Sequence, residues 1–144
     1  MRMAVLTVGI VLLVATVAPA QALPPFSVTR LYLTEAEFAR AIQPYQQAIA
    51  ANARNAQAQY WLGYAYVYAY RQWLARAAPY ASGHLARAVP PLQEAIKLNP
   101  EMIQAYLALH DAYHLSGELD KATEVFEQMR LKTRPGWLPR VPAQ

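Results

Sequence analysis

One segment of the sequence recurs along the chain, and this repetition restricts the fold more than any other feature. Residues 116–122 read SGELDKA, and they reappear 34 residues earlier as SGHLARA and a further 47 residues earlier as EAEFARA. Leu62 and Tyr66 likewise return 47 residues later as Leu109 and Tyr113. Three units of period 34 fit the chain if the middle unit carries 13 additional residues. A period of this length predicts a stacked array in which each unit contacts only its neighbours.

The spacing of apolar residues predicts that each unit consists of helices. Tyr106, Leu109 and Tyr113 recur at three- and four-residue steps, which gives one helix a single apolar stripe. The dipeptide Ser116-Gly117 supplies a helix stop and a turn, and Gly83 predicts an equivalent corner one unit earlier. Neither helix of a unit can bury its stripe alone, so stacked units must share one hydrophobic core.

The unit resembles the tetratricopeptide repeat, whose pattern is L-G-x2-Y, then A-x3-F, then Pro. Leu109, Tyr113, Ala122 and Phe126 occupy these positions in the last unit, whereas His110 stands where the family prefers glycine. The resemblance implies an all-α fold, a right-handed α-solenoid of antiparallel helix pairs. It also implies that Leu62, Ala88, Leu109 and Ala122 are interior neighbours.

The repeats are placed at about residues 27–55, 56–102 and 103–136, within a domain spanning residues 23–136. We expect the first unit to begin with a shortened helix after Ser27, which would act as the N-cap. The second helices of two units contain prolines, and a proline inside a helix destabilises it by about 3 kcal/mol. We therefore expect a kink or a restart near Gln43 and near Val89. The prolines concerned are Pro44, Pro90 and Pro91.

The 13 extra residues of the middle unit, 69–81, read AYRQWLARAAPYA. Apolar residues continue at helical spacing, and nothing breaks the helix before Pro79. The first helix of this unit should therefore overshoot its partner, by as much as about 20 Å. The overshoot presents Tyr70, Trp73 and Leu74 on one side, which either the chain's own tail or another protein must cover.

The two ends of the chain carry their own signals. Arg2 precedes the uncharged run 3–18, and small residues follow up to Ala22, which is typical of a secretory signal peptide over residues 1–22. Sixteen apolar residues span only about 24 Å as a helix, against about 30 Å of hydrocarbon, so an uncleaved membrane anchor is the alternative that fits less well. We predict export to the periplasm or the extracellular space. Residues 137–144 should form an extended, proline-rich tail with Trp137 as an anchor.

Composition excludes several kinds of chemistry. The chain has no cysteine, so a disulfide framework, a thiol nucleophile and a cysteine-ligated metal are absent. The formal net charge is +4, and no acidic residue occurs from Arg40 through Gln93. An exported protein rarely meets nucleic acid, so this charge favours either a solvated basic face or weak attraction to anionic surfaces. No phosphate-binding loop or catalytic triad is present, and we expect no cofactor.

The stretch ALHDAYHLSG places two histidines four residues apart, as in a zinc peptidase helix. Such an enzyme needs a glutamate base after the first histidine and a third metal ligand. Here the acid is Asp111, and His84 is the only other histidine. We therefore predict that the protein is not an enzyme, with metal-dependent hydrolysis at His110 and His114 as the remote alternative.

The resemblance implies a ligand groove on the first helices of the units, and tyrosine is enriched at such binding surfaces. The leading hypothesis is an exported scaffold that binds a protein or peptide and no nucleic acid. The alternatives are a subunit that self-assembles head to tail, and a membrane-anchored accessory subunit of a larger complex. The predicted contact residues are Gln57, Tyr60, Tyr64, Tyr68, Tyr70, Trp73, Leu107, Asp111, His114 and Trp137.

Overall fold

A computed structural model describes residues 22–133 of the protein. Within that range the regular elements are helices, and no strand is formed. Consecutive helices pack on one another along the chain, and the second helix also packs on the fourth. The prediction of an all-α solenoid is therefore confirmed. The helices are α1 (Glu35–Ala51), α2 (Ala56–Leu74), α3 (His84–Leu98), α4 (Ile103–Leu115) and α5 (Leu119–Thr133), with one turn of 3₁₀ helix at Pro79–Ala81.

The first unit contains one helix instead of two, so the expected short helix after Ser27 is wrong. The chain from residue 22 to 34 is irregular, and α1 is the second helix of its unit. A capping box starts α1, because the Thr34 hydroxyl accepts from the Glu37 amide at 3.2 Å and the Glu37 carboxylate accepts from the Thr34 amide at 3.3 Å. β-branched residues and prolines upstream of Thr34 favour extended backbone over helix.

The prolines do not interrupt their helices, contrary to the restart expected near Gln43 and Val89. Helices α1 and α3 run unbroken through their internal prolines. Each proline leaves the carbonyl of the fourth residue before it without a helical partner. The residues that carry these carbonyls lie on the exposed side of their helices, where a buried polar group is not left unpaired. They are Arg40, Ala86 and Arg87.

Helix α2 does overshoot, but by less than expected. It has 19 residues against 15 in its partner α3, an excess of about 6 Å. The helix ends because Arg76 adopts a left-handed conformation with φ of 61°. The amides of Arg76 and Ala77 then donate to the carbonyls of Trp73 and Gln72, each at 2.8 Å, in a Schellman motif. The rest of the insertion folds back, and it buries Ala78 and Ala81 completely.

Two clusters of buried side chains make up the core. One lies between α2, α3, α4 and α5, and it contains three of the four predicted interior neighbours, Ala88, Leu109 and Ala122. Leu62, the fourth, is only half-buried. The other cluster joins the irregular segment to α1 and α2. Its buried aromatic residues are Phe26, Tyr32, Phe38 and Tyr45.

The predicted corner at Gly117 favours glycine, whereas the corner at Gly83 does not. Gly117 has φ of 80°, and the Gly117 and Glu118 amides donate to the carbonyls of His114 and Tyr113, completing a second Schellman motif. Gly83 precedes α3 with φ of −93°, which any residue adopts. No helix among residues 22–133 is long and apolar enough to cross a membrane.

Candidate protein-binding surface

Residues 23–33 form what we call the strap, an extended segment that occupies the place of a first helix. Gln72, near the end of α2, fixes the strap through both ends of its side-chain amide. The Tyr32 amide donates to Gln72 Oε1 at 3.1 Å, and Gln72 Nε2 donates to the Arg30 carbonyl at 3.0 Å. Gln72 is only 5% exposed. A buried polar side chain needs such partners, so these bonds fix the position of the strap.

Tyrosine hydroxyls bind further carbonyls of the strap. Tyr45 donates to the Pro24 carbonyl at 3.0 Å, and Tyr80 donates to the Tyr32 carbonyl at 2.8 Å. Tyr68 donates to the carbonyl of Val28. Burial, together with the nearby carboxylates of α1, raises the pKa of Tyr80 to about 12, so its hydroxyl stays protonated as the donor. The strap is held by side chains because it has no internal ladder of backbone bonds.

Aromatic packing completes the attachment of the strap. The Phe26 ring stacks on Tyr32 at a centroid distance of 5.2 Å and meets Tyr68 edge-on at 5.7 Å. Such pairs add to the hydrophobic contribution of their burial. The strap therefore covers the side of α2 that carries Tyr68 and Gln72. We expected the C-terminal tail or another protein to cover a different side, that of Tyr70, Trp73 and Leu74. Leu74 is 52% exposed and residues 134–144 lie outside the described residues, so this expectation stays a prediction.

The structure removes two of the predicted contact tyrosines from the open surface. Tyr60 is 8% exposed and belongs to the core, and burial raises its pKa. Tyr68 is engaged by the strap through its ring and its hydroxyl. Tyr70 and Trp73 are half-buried and pack on each other with ring centroids 5.0 Å apart. Trp137 lies outside the described residues.

The other predicted contact residues lie on α2 and α4, which pack side by side. Gln57 and His114 are exposed, and Leu107 is 46% exposed. Tyr64 and Asp111 are half-buried. These five residues define what we call the α2/α4 face. Asp111 also ties the two helices together, because Arg71 donates to its carboxylate at 2.7 Å.

The histidine pair on α4 lacks the surroundings of a catalytic metal site. The rings of His110 and His114 stack with centroids 6.0 Å apart, and His110 also packs on Phe126. Asp111, the only acid in the motif, is bound by Arg71. Among the described residues no three potential ligands from histidine, cysteine, aspartate and glutamate come together. The remaining histidine, His84 at the start of α3, is buried against aromatic rings from other elements, such as Phe38 of α1.

Three grooves occur at equivalent positions of successive units. The groove of the third unit, about 350 Å³, contains Leu109, Tyr113 and Lys121; that of the second, about 570 Å³, contains Leu62, Tyr66 and Arg87. The first unit has a groove of about 510 Å³ at Tyr32 and Arg40. Each groove thus pairs a tyrosine of the first element with a basic residue of the second helix.

Sequence reasoning missed these grooves, although the signal was present. A basic residue occupies the sixth position of all three copies of the seven-residue segment, at Arg40, Arg87 and Lys121. In the third unit the Lys121 ammonium lies 5.4 Å from the centre of the Tyr113 ring, and Gln93 donates to the Tyr113 hydroxyl at 3.0 Å. The residues of this groove therefore already contact one another.

Stacked helix pairs with repeat-equivalent grooves define an α-solenoid repeat protein. Two profiles of the tetratricopeptide repeat match the chain, one over residues 30–82 and the other over residues 80–136. The chain belongs to the tetratricopeptide repeat family. Repeats of this family indicate a scaffold for protein-protein interaction, and the family is typically not enzymatic. No curated protein matches the chain in sequence.

Proposed function

We propose that this protein is a scaffold that binds a segment of another protein along the α2/α4 face. The observation that carries the proposal is Leu107, a large apolar side chain that is 46% exposed within a face otherwise formed by polar and aromatic groups. A single exposed leucine is ordinary on a protein surface. Leu107, however, stands at a groove position of the repeat on α4, a helix that packs on α2.

The chemistry of the face indicates the kind of segment that it binds. Amide and imidazole groups of Gln57 and His114 offer hydrogen bonds to a peptide backbone, and Leu107 offers apolar contact to one side chain. Tyr64 adds a rigid ring, which packs at 5.8 Å from the core residue Tyr60. The Arg71 to Asp111 ion pair joins α2 to α4, so the face is ordered before a ligand arrives.

Affinity capture from the native host tests the proposal, followed by titration of the recovered protein. Leu107→Asp should weaken binding by about tenfold or more, because it places a charge at the apolar contact. Leu74→Asp is the matched control, since Leu74 is 52% exposed but lies at the end of α2, outside the face. Equal affinity for the wild type and both variants would contradict the placement of the binding surface.

We also propose that the scaffold is exported and that residues 1–22 are removed as a signal peptide. The support is the pattern of the sequence: a basic start, an uncharged run and small residues at the end. Intact mass of the protein from its host should show loss of about twenty residues. Recovery of the full-length mass in the membrane fraction would support the anchored accessory subunit instead.

A further inference from the structure

Helix α5 carries an apolar stripe whose equivalent in α3 is buried. Leu85 and Leu92 of α3 are 6% and 0% exposed, and α3 has α4 packed on it. The residues 34 positions later are Leu119 and Phe126, which are 57% and 44% exposed. In a stacked array each second helix is covered by the first element of the next unit. Within residues 22–133 no unit follows α5, so its stripe lacks that cover.

The strap also has apolar residues that no neighbouring helix covers. Val28 stands 34 residues before Leu62 and 81 before Leu109, at the same position of the repeat. Leu109 is 4% exposed, within the core cluster that α2 to α5 form. Val28 is 46% exposed, and Leu31 and Leu33 beside it are 58% and 57% exposed. No second helix precedes the strap in the described part of the chain, so its outer apolar side is open.

Charge distinguishes the two halves of the described chain. Residues 22–93 contain six basic and two acidic residues, a net charge of +4. Residues 94–133 contain four basic and seven acidic residues, a net charge of −3. On or next to α5, the acids Glu118, Asp120, Glu124 and Glu127 accompany the bases Lys121, Arg130 and Lys132. Arg30 in the strap and Arg40 on α1 lie near Glu35 and Glu37, so the difference in charge belongs to the two halves of the described chain. Opposite charges steer the strap end of one molecule toward the α5 end of another and disfavour like ends meeting.

We propose that α5 binds the strap of a second copy of this chain, so that molecules associate head to tail. The strap of the second copy then takes the place that α4 holds against α3, covering Leu119 and Phe126. In return α5 supplies the helix that the strap lacks, covering Val28. This surface is separate from the α2/α4 face, so the two proposals stand independently. A head-to-tail contact forms a closed ring only if the rotation between successive molecules brings the last one back to the first. Otherwise it extends into longer assemblies.

Sedimentation of the full chain over a range of concentrations tests the proposal. The average mass should rise above that of the monomer as the concentration approaches about 1 mM, and it should fall when ionic strength rises from about 0.05 M to about 0.5 M. Leu119→Glu and Val28→Asp should each weaken association by about tenfold or more. An acid in the first turn of α5 is favoured by the helix dipole, so Leu119→Glu should keep its fold.

Matched controls separate this contact from a general effect of charge. Leu107→Asp, at 46% exposure on the α2/α4 face, should associate as the wild type does. Circular dichroism should show that each variant retains its helices. If Val28→Asp loses helix signal, Leu31→Glu replaces it, since Leu31 of the strap is 58% exposed.

Mixing the variants gives the sharpest test. Leu119→Glu retains an unaltered strap, and Val28→Asp retains an unaltered α5. The strap of the first variant can therefore bind α5 of the second, and the mixture should form heterodimers that do not grow further. A monomer at every concentration would overturn the proposal. So would assembly of Val28→Asp at wild-type strength, because it would show that two α5 helices pair with each other or that α5 binds elsewhere.

Discussion

The pair α2 and α3 and the pair α4 and α5 are two copies of one unit that differ at their crossing point. In the first pair Gly63 lies so close to α3 that a Cβ there would come within 2.5 Å of Leu92 Cγ and 3.0 Å of the Ala88 carbonyl. In the second pair His110 takes the place of Gly63 and packs on Phe126, with ring centroids 5.8 Å apart. Leu92 is fully buried, whereas its equivalent Phe126 is 44% exposed. Two differences therefore coincide at Phe126: His110 replaces glycine at the crossing, and within residues 22–133 no unit follows α5.

The same two units also differ at the ends of their first helices. Both α2 and α4 end in a Schellman motif, but the left-handed residue is Arg76 in one and Gly117 in the other. A left-handed conformation is less favourable by about 1–2 kcal/mol for a residue with a Cβ. The two helices thus end with the same geometry at different places in the repeat, because Arg76 lies in the insertion and the repeat equivalent of Gly117 is Gly83.

The largest effect should come from filling the tight crossing. Gly63→Val should destabilise the fold by about 3 kcal/mol, because α2 and α3 have no space for the added atoms. His110→Val, the matched change in the open crossing, should alter stability by less than about 1 kcal/mol. Urea denaturation of both variants measures the difference. Equal free energies of unfolding would show that the two crossings are equivalent.

A somewhat smaller effect should follow from releasing the strap. Gln72→Ala should destabilise the protein by about 2 kcal/mol, because the Tyr32 amide and the Arg30 carbonyl lose their partner. Protease cleavage within residues 23–33 should then become faster than cleavage in α4, which holds its own backbone bonds. Gln93→Ala removes an exposed amide that bonds only the Tyr113 hydroxyl, and it should change stability by less than about 0.5 kcal/mol. Unchanged proteolysis of the strap in Gln72→Ala would contradict its assigned role.

Exchanging the helix-end residues should give effects of opposite sign. Arg76→Gly should stabilise the protein by up to about 1 kcal/mol, because glycine adopts the left-handed conformation without strain. Gly117→Ala should destabilise it by about 1 kcal/mol for the same reason. Thermal melting should separate the two variants by several degrees. A shift in the same direction for both would mean that the two junctions are not equivalent.

The smallest effect should be a pH dependence of stability that arises at His84. Burial among Phe38, Tyr66 and Tyr80, and next the charge of Arg87, lower the pKa of His84 below its usual value. The unfolded chain then binds a proton at His84 more readily than the folded chain does. The contribution of neutral His84 to stability should therefore be fully present above about pH 6.5 and decline as the pH falls below that value. His84→Phe should flatten this slope, whereas His114→Ala, at an exposed site, should leave it unchanged. An identical slope in all three proteins would exclude His84 as its source.

Local signals allowed much of the fold to be predicted. The recurrence of Ala88 and Ala122 identified core positions, and Gly117 identified a corner, because helical periodicity and left-handed backbone leave direct traces in sequence. The candidate surface was predicted less well. Tyr60 and Leu107 occupy equivalent groove positions, yet one is 8% and the other 46% exposed. Burial depends on what packs over a residue, and the spacing of residues does not contain that information.

The sequence by itself determined the repeat, its family and the location of α2 to α5, since these follow from contacts between residues a few positions apart or one period apart. Tertiary structure decided that the first unit has a strap in place of a helix. The bonds that hold the strap join residues about forty positions apart, such as Tyr32 and Gln72, or Tyr32 and Tyr80. Polar side chains choose such partners only when the folded core brings them together, because either partner would otherwise bond to water.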